Sequence, residues 1–165
     1  MFSSRPIRCE RNRESGAQLA LASLRLAVGV IMIVHGWAKL TDVAGTAQSF
    51  DQLGMPAPQN LVYLAIAGEL FGGLGLCAGF LTRIAALGPL CTMLVAIFTV
   101  HAKHGLLAKN GGFEYPLVLL LVSVFFALNG GGRFSLDAAL DRAEYLPTRR
   151  RRSQPRQPIH SRHPA

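Results

Sequence analysis

Four long apolar runs constrain this chain more than any other feature. They cover residues 17–38, 61–81, 84–101 and 115–129. A helix that spans a bilayer needs about 20 mostly apolar residues, with a range of roughly 17 to 25. The first two runs meet this length, and we expect the two shorter ones to cross with little tilt or to borrow flanking residues. For the fourth run, the alternative is a buried helix of a soluble core.

The charged residues avoid these runs. The chain has 17 Lys and Arg and 9 Asp and Glu, yet only nine of these charges lie within residues 17–132. A surface with so few charges does not suit water, which argues against a soluble enzyme or a disordered protein. Three scattered cysteines also argue against a disulfide-stapled secreted module. The sequence therefore predicts an all-α, polytopic membrane four-helix bundle.

The distribution of Lys and Arg predicts how this bundle is oriented. Arginines concentrate before residue 17, at Arg83 and after residue 132, whereas the loops on the other side hold only Lys39, Lys103 and Lys109. Cytoplasmic loops carry the excess of basic residues, so both termini are expected in the cytoplasm. The predicted organisation is a basic tail over 1–16, a four-span membrane domain over 17–132, and an interfacial short helix with a disordered Arg-rich tail over 133–165.

The basic C-terminal tail suggests a partner of its own. The run Arg149 to Arg152 is suited to anionic lipid head groups at the membrane surface. Nucleic acid is not the expected partner, because the run has no aromatic stacking platform or recognition element beside it. The lipid bilayer is therefore the main predicted partner.

Charges at bilayer depth are costly, and they usually face the interior of a bundle. Arg25 and Glu69 are the two deepest, and their positions along the first and second runs predict that they pair with each other. The small residues beside them predict close helix packing. These packing positions are Gly29, Gly36, Gly68, Gly72, Gly75 and Gly79.

Polar residues toward the outer side are expected to converge near the mouth of the bundle. They are His35, Lys39, His101, Lys103, His104 and Glu114. None has a tight metal-ligand spacing, so no metal site is expected and interfacial polar residues are a sufficient explanation. Cys77 and Cys91 lie on a predicted hairpin without a Cys-x-x-Cys motif, so packing is favoured over a redox dithiol. The sequence leaves open whether these two cysteines interact.

Short motifs follow one another in a specific order along residues 18–140. They are Arg25 in a glycine-rich first run, His35-Gly36-Trp37-Ala38-Lys39-Leu40, Phe50 with Gly54-Met55-Pro56, Glu69-Leu70-Phe71-Gly72-Gly73, Gly79-Phe80-Leu81-Thr82-Arg83, Gly112-Phe113-Glu114-Tyr115-Pro116 and Gly130-Gly131-Gly132-Arg133-Phe134-Ser135-Leu136-Asp137. Together they resemble the DoxX family of bacterial four-helix membrane proteins. The family pattern maps onto Arg25, Gly36, Lys39, Glu69, Glu114 and Tyr115.

The resemblance implies a location in the bacterial cytoplasmic membrane and an association with redox chemistry. The family takes its name from a subunit linked to thiosulfate and quinone oxidoreduction, and some relatives are associated with membrane oxidoreductase complexes that handle thiol or oxidative stress. Most members have no assigned reaction. A related branch uses cysteine motifs that this chain lacks, which disfavours disulfide exchange.

Three functions remain open at this point. In the first, a redox-associated membrane subunit holds a quinone head group or a small oxyanion in a buried polar pocket. No residue set supplies electrons, so an oxidoreductase activity would need partner subunits or a bound cofactor, and the sequence leaves open whether the chain is an enzyme. The alternatives are a non-catalytic scaffold and, less favoured, a small-solute carrier, which would need a homo-oligomer. The expected pocket residues are Arg25, Glu69, His35, Lys39, Glu114 and Tyr115.

Overall fold

All regular secondary structure in the described part of the chain is helical. The computed structural model describes residues 7–152. Its α-helices are α1 (Ile7–Thr41), α2 (Val43–Gln52), α3 (Pro58–Ala78), α4 (Thr82–Ala85), α5 (Leu87–Ala96), α6 (Glu114–Asn129) and α7 (Leu136–Arg152). A π-helix over Ile97–His101 extends α5, and short 3-10 turns lie at Ala102–His104 and Ala108–Asn110. The predicted all-α fold is confirmed.

Three segments are long and apolar enough to cross a membrane. They are Arg13–Thr41, Pro58–Ala78 and Thr82–His104, with 29, 21 and 23 residues. Large apolar side chains point away from the bundle, and Phe71, for example, is 74% exposed. Such a surface suits lipid and not water, so the chain is an all-α membrane protein. The 16-residue α6 is shorter, and its role as a fourth span stays a prediction, as does the orientation of the termini.

The helices pack in a chain of neighbours, with α1 on α3, α3 on α5, and α5 on α6. The buried core between them is apolar and includes Val28, Met32, Leu76, Met93 and Phe126. We call the end that holds the 79–83 turn and residues 130–137 the inner end. The opposite end, with α2 and residues 102–113, is the outer end.

Glycines allow α3 to lie close to both of its neighbours. A Cβ atom on Gly72 would lie 2.6 Å from Pro89 Cδ, and one on Gly75 would lie 2.5 Å from Ala85 Cβ. Toward α1, a Cβ atom on Gly29 would lie 2.8 Å from the carbonyl oxygen of Gly73. Side chains at these positions would push the helices apart.

The ends of the chain are more helical than expected. Helix α1 begins at Ile7, inside the predicted basic tail, and α7 continues to Arg152, into the Arg-rich segment that was predicted to be disordered. Good helix formers such as Ala, Glu and Arg in both segments favour this extension. Residues 1–6 and 153–165 of the two predicted tails lie outside the described residues.

Candidate functional site

A cavity of about 360 Å³ lies in the outer half of the bundle, between α1, α3, α5 and α6. Its volume falls in the range of small-molecule sites, roughly 300 to 1,000 Å³. Most of its wall is apolar, and a few polar side chains interrupt it. These polar residues are His35, Lys39, Glu69, Thr92, Thr99, His101 and Tyr115.

An ion pair forms part of the wall of this cavity. Lys39 Nζ lies 2.7 Å from Glu69 Oε2 and 2.9 Å from Oε1, so the ammonium donates to both carboxylate oxygens. Glu69 is only 2% exposed, whereas the Lys39 side chain keeps 22% of its surface accessible. Gly36 lets the two helices approach, since a Cβ atom there would lie 3.1 Å from Glu69 Cβ. The pair therefore places two opposite charges at the edge of an apolar cavity.

The π-helix supplies a histidine to the same cavity. His101 ends this segment, and its Nδ1 lies 2.7 Å from the carbonyl oxygen of Gly111. A carbonyl oxygen only accepts, so Nδ1 carries the proton and, in the neutral ring, Nε2 is an acceptor. Single π-turns inside longer helices are frequent at functional sites. His101 can thus accept a proton or a hydrogen bond.

The segment after α1 covers the outer end of the cavity. Helix α2 starts at Asp42, whose Oδ1 accepts the Gly45 N–H at 2.9 Å. After α2, the Met55 N–H donates to the Phe50 carbonyl oxygen at 3.0 Å, and both side chains line the cavity. We call Phe50 and Met55 the roof. Met55 is buried, so the roof is packed and not an open loop.

The predicted pair of Arg25 with Glu69 is wrong. Arg25 instead donates from its two terminal nitrogens to the carbonyl oxygens of Gly131, at 3.2 Å, and Phe134, at 3.0 Å. Helical side chains tilt toward the N-terminus of their own helix. Because α1 and α3 run in opposite directions, Arg25 extends toward the inner end and Glu69 toward the outer end, where Lys39 meets it. Similar depth in the membrane was not enough to predict contact.

The other expected pocket residues divide between the cavity and its surroundings. His35, Lys39, Glu69 and Tyr115 line the cavity, whereas Arg25 and Glu114 do not. Glu114 Oε1 instead accepts the Ala108 N–H at 2.7 Å, in the outer loop. Its carboxylate sits at the start of α6 and reaches back to the preceding turn.

Some cavity residues were not among the predicted pocket residues. Thr92, Ala96 and Thr99 lie on the wall at helical spacing, and Cys91 lies on the wall beside them. The spacing of Thr92 and Thr99 was a signal in the sequence, but threonine in an apolar helix also bonds to its own backbone, as both do here. Cys77 is elsewhere, with its Sγ 3.9 Å from the Leu26 carbonyl oxygen, and both cysteines are free.

A second group of polar residues lies at the inner end and does not line this cavity. We call Arg25, Thr82 and Asp137 the inner cluster. The Asp137 carboxylate accepts the Leu81 N–H at 2.7 Å, the Thr82 N–H at 3.0 Å and the Thr82 hydroxyl at 2.8 Å. It therefore caps the N-terminus of α4 from a distant part of the chain.

The electrostatics of Asp137 agree with this capping role. Partial burial acts to raise the pKa of Asp137, but the hydrogen bonds from Thr82 and Leu81 and the charge of Arg25 outweigh it. The pKa of Asp137 therefore lies below its usual value. The Asp137 N–H also donates to the Gly79 carbonyl oxygen at 3.0 Å, which fixes the start of α7 on the turn between α3 and α4.

Comparison with known proteins shows which family the chain belongs to. The DoxX family model matches residues 20–102. CatD of Bacillus subtilis, whose name classes it as a candidate oxidoreductase, is 36% identical over 114 residues, which cover 69% of this chain and 81% of CatD. The chain belongs to the DoxX family. The resemblance seen in the sequence is thereby confirmed.

Two further relatives of this DoxX protein are named as membrane proteins. YqjF of Escherichia coli, an inner membrane protein, is 30% identical over 118 residues, covering 72% of this chain and 89% of YqjF. The membrane protein Rv3486 of Mycobacterium tuberculosis is 30% identical over 131 residues, covering 72% of this chain and 80% of its own length. No solved structure matches the chain. Together with the apolar helices, these relatives support a bacterial inner membrane protein.

Proposed function

We propose that this DoxX protein is a redox-associated membrane subunit that binds a quinone head group in the outer cavity. The observation that carries the proposal is an apolar cavity of about 360 Å³ with the Lys39–Glu69 ion pair in its wall. Ligand sites of this kind combine apolar walls with a few placed polar groups. The candidate oxidoreductase CatD, which is 36% identical, supports a redox role.

The polar residues of the cavity suit both redox forms of a quinone. Carbonyl oxygens of the oxidised form accept hydrogen bonds, and Lys39, His35 and Tyr115 carry donors. Hydroxyls of the reduced form donate, and Glu69 and the Nε2 of His101 can accept from them. The Lys39 ammonium has a third proton beyond the two that Glu69 accepts.

The chain itself is proposed to bind and position the quinone, and the electrons come from elsewhere. The cavity holds hydrogen-bonding groups and no evident electron carrier among the residues that line it. A partner oxidoreductase subunit, or a cofactor bound between subunits, would supply or accept the electrons. The proposal therefore makes association with such a partner part of the function.

Extraction of the purified protein tests this proposal. The protein is purified in mild detergent, extracted with organic solvent, and the quinone content per chain is measured. We expect wild type to retain quinone and Glu69→Gln and Lys39→Met to lose most of it. Asp137→Asn, which changes a carboxylate outside the cavity, is the matched control and should retain the wild-type content.

A non-catalytic scaffold is the second candidate, because each deep charge already has a partner within the chain. Lys39 and Glu69 satisfy each other, and Arg25 bonds to two backbone carbonyls. If wild type carries no quinone and binds none when it is added, while Lys39→Met still lowers stability, then the charges serve only to hold the bundle together.

A further inference from the structure

The cavity has an opening at the depth of the membrane core. Cys91 lines the cavity and is exposed to the outside of the bundle. It lies nine residues after Thr82 and thirteen before His104, the ends of this span, so it is about 14 Å from one end and about 20 Å from the other. At that depth, in a hydrocarbon core about 30 Å thick, the surroundings are lipid chains and not water.

Other residues of the cavity wall are also exposed around this opening. Leu64 on α3 is 66% exposed and Val95 on α5 is 49% exposed, and both line the cavity. The outer end, by contrast, lies under the roof of Phe50 and Met55. The wall at Leu64, Cys91 and Val95 is thus less covered than the roof.

The size of the cavity limits what part of a ligand it can hold. A volume of 360 Å³ corresponds to about a dozen water molecules at roughly 30 Å³ each. A substituted ring fits in this space, but a long hydrocarbon chain attached to it does not. Such a chain would have to leave the cavity through an opening.

We infer that the ligand is a membrane-borne amphiphile that enters from the side, with its ring at Lys39 and Glu69 and its apolar chain leaving past Cys91 and Val95 into the lipid. This inference rests on the proposed function and adds the ligand class and its route. A redox-active ring without a chain would bind in the same place but would make no use of the side opening.

Binding of two ligands by matched variants tests the inference. The protein in lipid nanodiscs is titrated with a decyl-substituted benzoquinone and with the same ring lacking the decyl chain. Cys91→Phe fills the opening and should weaken binding of the decyl compound about tenfold. Binding of the short compound should stay unchanged. Val95→Phe should give the same pattern, which guards against a folding defect of one variant.

A control variant separates the position of the added side chain from its bulk. Leu94→Phe adds the same bulk on the same helix, at a residue that is 42% exposed and does not line the cavity, and should bind both compounds as wild type does.

The outcomes distinguish this inference from the proposed function. If wild type binds both compounds and neither Phe variant changes their affinities, or both affinities fall equally, the side route is wrong and the quinone site stands. If wild type binds neither compound, both proposals fail.

Discussion

Both ends of the bundle bury charged side chains, but Lys39 and Glu69 at the outer end line the cavity described above, whereas Arg25 does not. At the inner end, Arg25 is 4% exposed and is enclosed by backbone carbonyls and Asp137. At the outer end, Glu69 is as deeply buried, yet its partner Lys39 remains partly accessible from a cavity. At the inner end, the buried charge of Arg25 therefore links α1 to the segment before α7. At the outer end, the buried charge of Glu69 forms part of an accessible polar wall.

The two ends differ because their buried charges have different hydrogen-bond partners. Arg25 is bonded to backbone groups, which no substitution can remove, while Lys39 and Glu69 are bonded only to each other among the described contacts. We expect Arg25 to tolerate no simple replacement, and the outer pair to be replaceable at a cost to ligand binding. The predictions below test this contrast.

Arg25→Met should have the largest effect on stability. It leaves the carbonyl oxygens of Gly131 and Phe134 without their donor. A hydrogen bond to a charged group contributes about 1.5–3 kcal/mol, so the loss of both should cost about 3–6 kcal/mol. The measurement is the free energy of unfolding in detergent. Arg83→Met, which removes an exposed arginine at the same end, is the control and should change it little. An Arg25→Met protein as stable as wild type would contradict the described role of Arg25.

Lys39→Met should destabilise the protein by about 1–3 kcal/mol, because it leaves a buried carboxylate without its donor. Adding Glu69→Gln should restore most of this loss, since the second change removes the buried charge. Unfolding of the two single variants and the double variant measures the coupling. A double variant as unstable as the sum of both single changes would show that the outer pair, like Arg25, cannot be neutralised.

Asp137→Ala should cost about 1 kcal/mol, the usual effect of removing a helix N-cap. The change leaves the Leu81 and Thr82 N–H groups without their acceptor and frees the start of α7. Asp141→Ala, an exposed change on the same helix, should have no measurable effect. Limited proteolysis after residue 130 provides a second measurement, and equal cleavage of both variants would argue against the cap.

The smallest expected effect is a dependence on pH. Because the pKa of Asp137 is lowered in the folded protein, its contribution is fully present above the usual aspartate value of about 3.9 and is lost as the pH falls through the lower folded value. The stability difference between wild type and Asp137→Asn should therefore be constant near neutral pH and shrink below about pH 4. A difference that grows on acidification would contradict this sign.

Much of the fold could be predicted from the sequence, because apolar runs and glycine positions act locally. The run at 17–38 falls within α1, and the run at 61–81 covers most of α3. Ser135 caps α7, with its Oγ accepting the Ala138 N–H at 3.1 Å. Lys39 could be predicted as a polar residue near one end, and Glu69 as a charge deep in the membrane. Their pairing could not, because depth along a helix does not give the direction of a side chain.

The contacts of the inner cluster could not be predicted from the sequence for a different reason. Asp137 and Thr82 are 55 residues apart, and Arg25 and Gly131 are 106 apart. Nothing local distinguishes Asp137 from an ordinary acidic residue in the first turn of a helix. The roof and the π-helix also depend on packing between distant segments, so the cavity itself appears only once the helices are assembled.

The contacts of Arg25 have a consequence for the order in which the protein is made. Arg25 belongs to α1, but its acceptors lie 106 and 109 residues later in the chain. A nascent chain that has inserted α1 and α3 therefore holds a membrane-embedded guanidinium whose partners have not yet left the ribosome. Helix α1 can make its final contacts through Arg25 only after the segment before α7 has been synthesised. Formation of these contacts therefore requires that translation has passed residue 134.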